Sequence, residues 1–506
     1  MEANAASSAA AAGDLRRRLH VVVFPWLAFG HLIPFLELAK RMAARGHAAV
    51  TFLSTPRNVS RLGAAAVPPE LSAYVRLVSL PLPRVDGLPE GAESTTDVPH
   101  EKVGLLKAAF DGLAAPFAAF LADACSAGAD DEAAGFGRKP DWIVVDFAHY
   151  WVPHIADEHK IPCAIFLSFS ASLLAFHHQK SRAANAADDK HTRTEAEHLM
   201  APAPATTSNT LPSDLAYRRH EAKFIAAAFE PNASGVSDVD RMRQLRQRCA
   251  VVFYRSCPEA EGPPCRLLAD VTGGRFLPTG LLAPSPAATA NDGGGDRDEA
   301  ATDLMRWLDA QPERSVVYVA LGTEAPLTAD NVRELARGLE LSGQRFLWAL
   351  RAPPAAARDE LFPEGFEERI AGRGVVRVGW VPQPRVLAHA AVGAFLTHCG
   401  WGSTVESLQF GHPLVMLPFV ADQGIVAQAM AAKGIGPEVE RNYDDASFRG
   451  EDVAAAVRRV MVEEEGKVFV RKAKELQEAL SDKARQDHYI DEIVEFMRSY
   501  KFTGGA

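Results

Sequence analysis

Residues 19–55 read LHVVVFPWLAFGHLIPFLELAKRMAARGHAAVTFLST, and this stretch decides the fold. An unbroken apolar run, LHVVVFP (19–25), has the length and β-branched content of a buried strand. The turn WLAFGHL leads to a helix expected to begin near Pro34. Leu32, Phe35, Leu36, Ala39, Met42 and Ala43 recur at helical spacing. A proline near the first helical position is favourable, because its missing N–H is not needed there. RGH (45–47) ends the helix, and AAVTFLST (48–55) is a second strand. Strand, helix and strand in this order make a parallel β-α-β unit.

The same rhythm runs outward along the chain. DWIVVDF (141–147) and PCAIFLSFS (162–170) are two more buried strands flanking a helix. It restarts at SVVYVALG (315–322), with a helix over NVRELARGLELSG and strands at RFLWALR, GVVRVGWVP, VGAFLTHCG and PLVMLPF. Between the halves, APSPAATANDGGGDRDEAA (283–301) is rich in Pro, Gly, Ala and Asp without a core pattern, as in a linker. We therefore expect an α/β protein of two facing doubly wound domains, 19–282 and 302–485, joined through 283–301. Residues 1–18 read as a disordered tail, and 486–506 as a C-terminal helix that packs back on the first domain. A ligand belongs at the C-terminal ends of the strands, in the cleft between the halves.

A chain of 506 residues accommodates two such domains. Its 47% hydrophobic and 23% charged residues are those of a globular enzyme or binding protein. A net charge of −10 with no basic stripe argues against nucleic acid. No apolar run reaches about 18 residues, so no transmembrane helix is expected. The N-terminal arginines follow the weakly apolar stretch, which is not the order of a secretory signal. Six scattered cysteines suit neither a zinc site nor a disulfide scaffold, and reduced thiols in the cytosol fit them. A monomer is expected.

The chemistry concentrates in THCGWGSTVES (397–407), where a strand runs into a helix. Such a helix start presents unpaired N–H groups and the positive end of the dipole, an anion site. Glycines let a phosphate approach the backbone, and His398 and Ser403 add donors. Ser403 and Glu406 also fit the S-x-x-E capping box, a purely structural account. That box leaves His398, Gly400, Trp401 and Gly402 unexplained.

From Trp380 to Gln423 the chain reads WVPQ, THCGWGSTVES, GHPLVMLP and ADQ in turn. This stretch resembles the 44-residue signature of plant family 1 UDP-sugar-dependent glycosyltransferases. The likeness extends to FPWLAFGHLIPFLELAKRMAARGH, STPRN, LPEGAESTTDVPH, PDWIVVDF and VVYVALGTEAPL. It implies the two-domain GT-B fold and roles for individual residues. Trp380 stacks on uracil and the Val381 backbone reads its edge. Gln383 and Glu406 hold the ribose. Thr323, His398 and Ser403, with the loop amides around Gly400, bind the diphosphate. Asp422 and Gln423 bind sugar hydroxyls, with Trp401 beside them. Gln423 goes with glucose in this family, so UDP-glucose is the expected donor substrate and no cofactor or metal is implied. Gly402 departs from the family, which carries asparagine there, and removes an amide contact to the phosphate.

Sugar transfer to a hydroxyl needs a base, because an alcohol is a poor nucleophile until its proton is leaving. His31 stands after the first strand, and its imidazole titrates near neutrality. Asp146 ends the strand WIVVD, where a carboxylate orients an imidazole. The family has its acceptor-activating His and Asp at these positions. Trp26, Phe29, Glu93, Phe147, His149, Trp151 and Phe169 are candidate acceptor contacts. The details of FPWLAFGH, THCGWGS and ALGTEAPL resemble the branch that adds sugars to existing sugars on terpenoid (steviol-type) and flavonoid glycosides. Related members use UDP-rhamnose or UDP-xylose, and some glycosylate aglycones. Two other classes compete. A dinucleotide-dependent oxidoreductase lacks support, since PWLAFGHL has no G-x-G-x-x-G and FLST ends without an acidic residue. A non-catalytic sugar-nucleotide sensor is disfavoured by the presence of both His31 and Asp146.

Overall fold

The computed structural model describes residues 18–63, 66–126, 136–178, 196–202, 215–284, 296–323, 325–351, 361–443 and 445–502. The N-terminal stretch read as a tail and most of the segment read as a linker lie outside them.

Seven strands form the first sheet: β1 (Leu19–Phe24), β2 (Ala48–Ser54), β3 (Val75–Ser79), β4 (Trp142–Val145), β5 (Cys163–Leu167), β6 (Val251–Tyr254) and β7 (Phe276–Pro278). All pair in parallel, in the order β3-β2-β1-β4-β5-β6-β7. Five more form a second parallel sheet: β8 (Val316–Ala320), β9 (Arg345–Leu350), β10 (Gly374–Val378), β11 (Val392–Thr397) and β12 (Leu414–Met416), ordered β10-β9-β8-β11-β12. Strands buried on both faces need apolar side chains throughout, and VVVF of β1 and GAFLT of β11 are buried end to end. Each order reverses once, between β1 and β4 in the first sheet and between β8 and β11 in the second. Such reversals leave a crevice at the strand C-termini.

The helix after β1 spans Phe29–Ala44, not from Pro34. Ala28 caps it without a side-chain bond, and the His31 and Leu32 N–H groups both donate to the Ala28 carbonyl. Pro34 thus lies inside the helix and His31 in its first turn, at the mouth of the β1–β4 crevice.

The helix Lys483–Ser499 bridges the halves. Ile490, Ile493, Val494 and Met497 join the core of Val21, Phe35 and Trp142, whose indole N–H donates to the Met497 carbonyl at 3.0 Å. Tyr489 packs in the second domain's core. Each buried aliphatic contributes about 1.5–3 kcal/mol. The ion pair from Arg45, which caps the helix Phe29–Ala44, to Asp491 on this helix is solvent-exposed and contributes at most about 1 kcal/mol. The apolar face therefore holds the helix down.

One described helical run, His100–Cys125, has the length and composition of a membrane span. It is broken between Asp111 and Ala114, and Phe110, Leu113, Phe117 and Leu121 are buried in the first domain's core.

Candidate active site

At the β1–β4 crevice, His31 Nδ1 lies 2.7 Å from Asp146 Oδ2. Phe24 and Val145 are register partners at the strand ends, so the two following loops emerge side by side. Asp146 is fully buried and follows β4 directly. Its Oδ2 also accepts the Trp26 N–H at 3.1 Å, and its Oδ1 accepts the Phe147 N–H at 2.7 Å. Two main-chain donors thus fix the carboxylate before it meets the imidazole. Ser168 Oγ, 3.4 Å from His31 Nδ1, completes the cluster. Because the carboxylate accepts, Nδ1 carries the proton in neutral His31, and Nε2 keeps its lone pair. Such a histidine can take a proton from a hydroxyl and remain stabilised as imidazolium.

Phe147 and Phe169 flank the His31 ring, with centroids 5.7 and 5.8 Å away. Both are half-buried, as is Phe29. The other candidate acceptor residues lie differently. Trp26, His149 and Trp151 are buried with Phe24, Phe110 and Phe117 in an aromatic core behind Asp146. His149 is fully buried, and desolvation lowers its pKa to about 3. These three form the backing of the site and not its face. Glu93 Oε2 accepts the Arg57 N–H at 2.7 Å, and the neighbouring Thr95 N–H donates to the Leu27 carbonyl at 2.9 Å. That bond ties the EST loop to the loop carrying the base.

At the β8–β11 crevice the construction is different. His398 follows β11 and packs against two glycines. A Cβ on Gly322 would stand 2.5 Å from His398 Cε1, and one on Gly400 would stand 2.5 Å from Nε2. Gly322 also has φ +70°, which disfavours any other residue. The ring is 8% exposed, its Nδ1 has no hydrogen-bond partner among the described residues, and desolvation lowers its pKa to about 4. It is a neutral imidazole at pH 7. Exposed Thr323 follows Gly322 in the chain.

The helix Trp401–Phe410 starts at Gly400 with no side-chain cap. The S-x-x-E box therefore does not form, since the helix begins before Ser403. Ser403 and Glu406 are instead turned to Gln383, whose amide nitrogen lies 3.3 Å from Ser403 Oγ and 2.8 Å from Glu406 Oε2. Tyr318 donates to Gln383 Oε1 at 3.2 Å. Burial raises the Glu406 pKa, opposed by the Gln383 bond and the charge of Arg255. Trp380, at 43% exposure, presents an indole face beside this cluster in sequence, while the adjoining Val381 is buried. Buried Gln423 uses its side-chain oxygen to accept the Phe419 and Val420 N–H groups, which leaves its NH2 as the donor. Half-buried Asp422 precedes it at the helix cap. Trp401 is buried, and its indole N–H donates to the Arg255 carbonyl across the domain seam at 2.6 Å. Cys399 (φ 65°) and Ala421 (φ 57°) hold left-handed backbone without being glycine, strain of about 1–2 kcal/mol each that clusters at functional loops. Sequence reading missed Tyr318 within β8, and Ser168 and Arg255 just beyond β5 and β6, none of which carries a signal until the sheets are assembled.

Two parallel α/β domains with crevices at their switch points, one carrying a buried carboxylate–imidazole pair and the other a buried histidine in a glycine-rich turn, have the architecture of a GT-B glycosyltransferase. Residues 288–478 match the family described as UDP-glucoronosyl and UDP-glucosyl transferase. UDP-glycosyltransferase 91B1 of Arabidopsis thaliana is 42% identical, over 95% of this chain and 98% of that one. Soyasaponin III rhamnosyltransferase of Glycine max is 33% identical (96% and 97%), and beta-D-glucosyl crocetin beta-1,6-glucosyltransferase of Gardenia jasminoides 32% (94% and 97%). A solved UDP-glucosyltransferase from Polygonum tinctorium is 27% identical, covers 96% of this chain and 99% of its own, and superposes with a TM-score of 0.69. The chain belongs to the plant family 1 UDP-dependent glycosyltransferases.

Proposed function

We propose that the chain transfers glucose from UDP-glucose to a sugar hydroxyl of a terpenoid or flavonoid glycoside, inverting the anomeric carbon. The observation that carries the reaction is the His31 Nδ1–Asp146 Oδ2 contact at 2.7 Å, which leaves Nε2 to accept the acceptor's proton. The acceptor oxygen then bonds to the anomeric carbon as the bond to the diphosphate oxygen breaks. Asp146 stabilises the imidazolium. The UDP leaving group gains charge at the start of the helix Trp401–Phe410, where main-chain N–H groups, neutral His398, Ser403 and Thr323 stabilise it. Trp380 stacks on uracil with Val381 at its edge, Gln383 and Glu406 hold the ribose, and Gln423 with Asp422 holds the sugar. Phe29, Phe147 and Phe169 border the acceptor.

The glucosyl crocetin relative supports a glycoside acceptor, and the Gln423 NH2 supports glucose. The rhamnosyltransferase relative favours a second reading for the donor, UDP-rhamnose. A cytosolic monomer is part of the proposal. Matched aglycones and their monoglucosides, offered with UDP-glucose and followed by mass spectrometry, test it. Only the glucosides are expected to gain a hexose. Aglycones that react while glucosides stay inert overturn the acceptor class, and transfer from UDP-rhamnose alone overturns the donor.

A further inference from the structure

Arg255 immediately follows β6, and its side chain is 2% exposed. Its guanidinium is held by two main-chain carbonyls, Nε to Leu281 at 2.6 Å and Nη2 to Leu282 at 3.2 Å. Leu282 carries its carbonyl on left-handed backbone (φ 49°), which a residue with a Cβ normally avoids. No carboxylate among the described residues forms an ion pair with this guanidinium, and Nη1 has no hydrogen-bond partner among them. Glu406 and Glu37 act on it only at longer range. A buried cation without a partnered anion is costly, so a structure that retains one has a use for it.

Its position says what the use is. The nearest atom to a Cβ built on Gly402 is Arg255 Nη1, at 3.6 Å. Gly402 is the second residue of the helix Trp401–Phe410. The Arg255 carbonyl also accepts the indole N–H of Trp401 at 2.6 Å. Main chain and side chain therefore both engage the turn that starts this helix, and the guanidinium lies beside Gly402. We propose that Arg255 is a diphosphate-binding residue, whose guanidinium uses the space left open by Gly402 to balance the charge of the nucleoside diphosphate at this helix start. The proposal rests on the donor site assigned above. It places a cation supplied by the first domain at a helix start supplied by the second. It also makes diphosphate binding a contact that draws the two domains together.

The test is calorimetric titration of the full chain with UDP and, separately, with uridine. In the native protein UDP binds far more tightly than uridine. Arg255→Gln should weaken UDP roughly 10- to 100-fold, the size of a charge-assisted contact, and leave uridine within about 3-fold. Arg255→Lys, which keeps the charge, should fall between. Gly402→Asn in the Arg255→Lys background should restore part of the UDP affinity by returning the amide, and it serves as the test should Arg255→Gln fail to fold. A purely structural Arg255 would shift UDP and uridine together, or shift neither, and that result overturns the proposal while the donor site stands. If the native protein bound UDP no better than uridine, the donor site itself would be misassigned and the proposal would fall with it.

Discussion

The two crevices share one topology and differ in how each treats its histidine. At the β1–β4 crevice, His31 is 15% exposed and sits on a carboxylate already fixed by two main-chain N–H groups. At the β8–β11 crevice, His398 packs against Gly322 and Gly400 with no carboxylate bonded to it among the described residues, and desolvation keeps it neutral. A partnered imidazole can accept a proton and hold the charge. A desolvated one resists protonation, so it serves as a fixed dipole or a neutral donor beside an anion. On the proposed reading, the crevice histidine is a base in one domain and a phosphate contact in the other, and the partner decides which.

The largest test of this contrast falls on Asp146. Asp146→Asn keeps the shape of the side chain, yet its single oxygen cannot serve His31, Trp26 and Phe147 together. Turnover should fall roughly 10²–10⁴-fold with UDP affinity unchanged, read from steady-state rates beside UDP titrations. An equal loss in UDP affinity would erase the division of labour between the crevices.

Gly322→Ala presses a methyl into the His398 ring at 2.5 Å and forces φ +70° on a residue with a Cβ. About 1–3 kcal/mol of strain should appear as a 10- to 100-fold rise in the donor KM, with the acceptor KM unmoved. Glu406→Gln replaces a charged acceptor of the Gln383 amide, and a UDP affinity about tenfold weaker is expected by titration. The smallest effect is on stability. The His398 pKa is about 4 in the folded chain and about 6.5 when unfolded, so the unfolded state binds more protons between those values. Stability is therefore complete above about pH 6.5 and lost as pH falls toward 4. For His398 alone the loss is about 1 kcal/mol by pH 5.5. His398→Gln should remove that part of the stability loss between pH 7 and 5.5, read as a smaller fall in melting temperature than in the native protein. Fully buried His20 and His149 add slopes of the same sign.

Much of this was legible in the chain because the informative strands are buried on both faces. LHVVVF, WIVV and VGAFLT are continuous apolar runs, and His31, Asp146 and His398 stand just beyond their ends. Strands β3, β6 and β7 escaped because VRLVS, VVFY and FLP are short, and all three lie at or next to a sheet edge. The helix start at Phe29 was hidden by Pro34, whose usual place in the first turn pointed five residues too far. Trp26, His149 and Trp151 read as pocket residues for their chemistry, but an aromatic beside a catalytic loop packs equally well behind it. Arg255 gave no signal at all, since its meaning depends on Gly402, 147 positions away and across the domain seam.

The central claim is that proton transfer belongs to His31 and diphosphate binding to the His398 crevice. His31→Ala and His398→Ala, each measured for turnover with UDP-glucose and for UDP affinity, test it most directly. The account predicts a loss of roughly 10²–10⁴-fold in turnover for His31→Ala with UDP affinity kept within about 2-fold, and for His398→Ala a loss led by UDP affinity. Full activity in His31→Ala, or the same pattern from both variants, would contradict it.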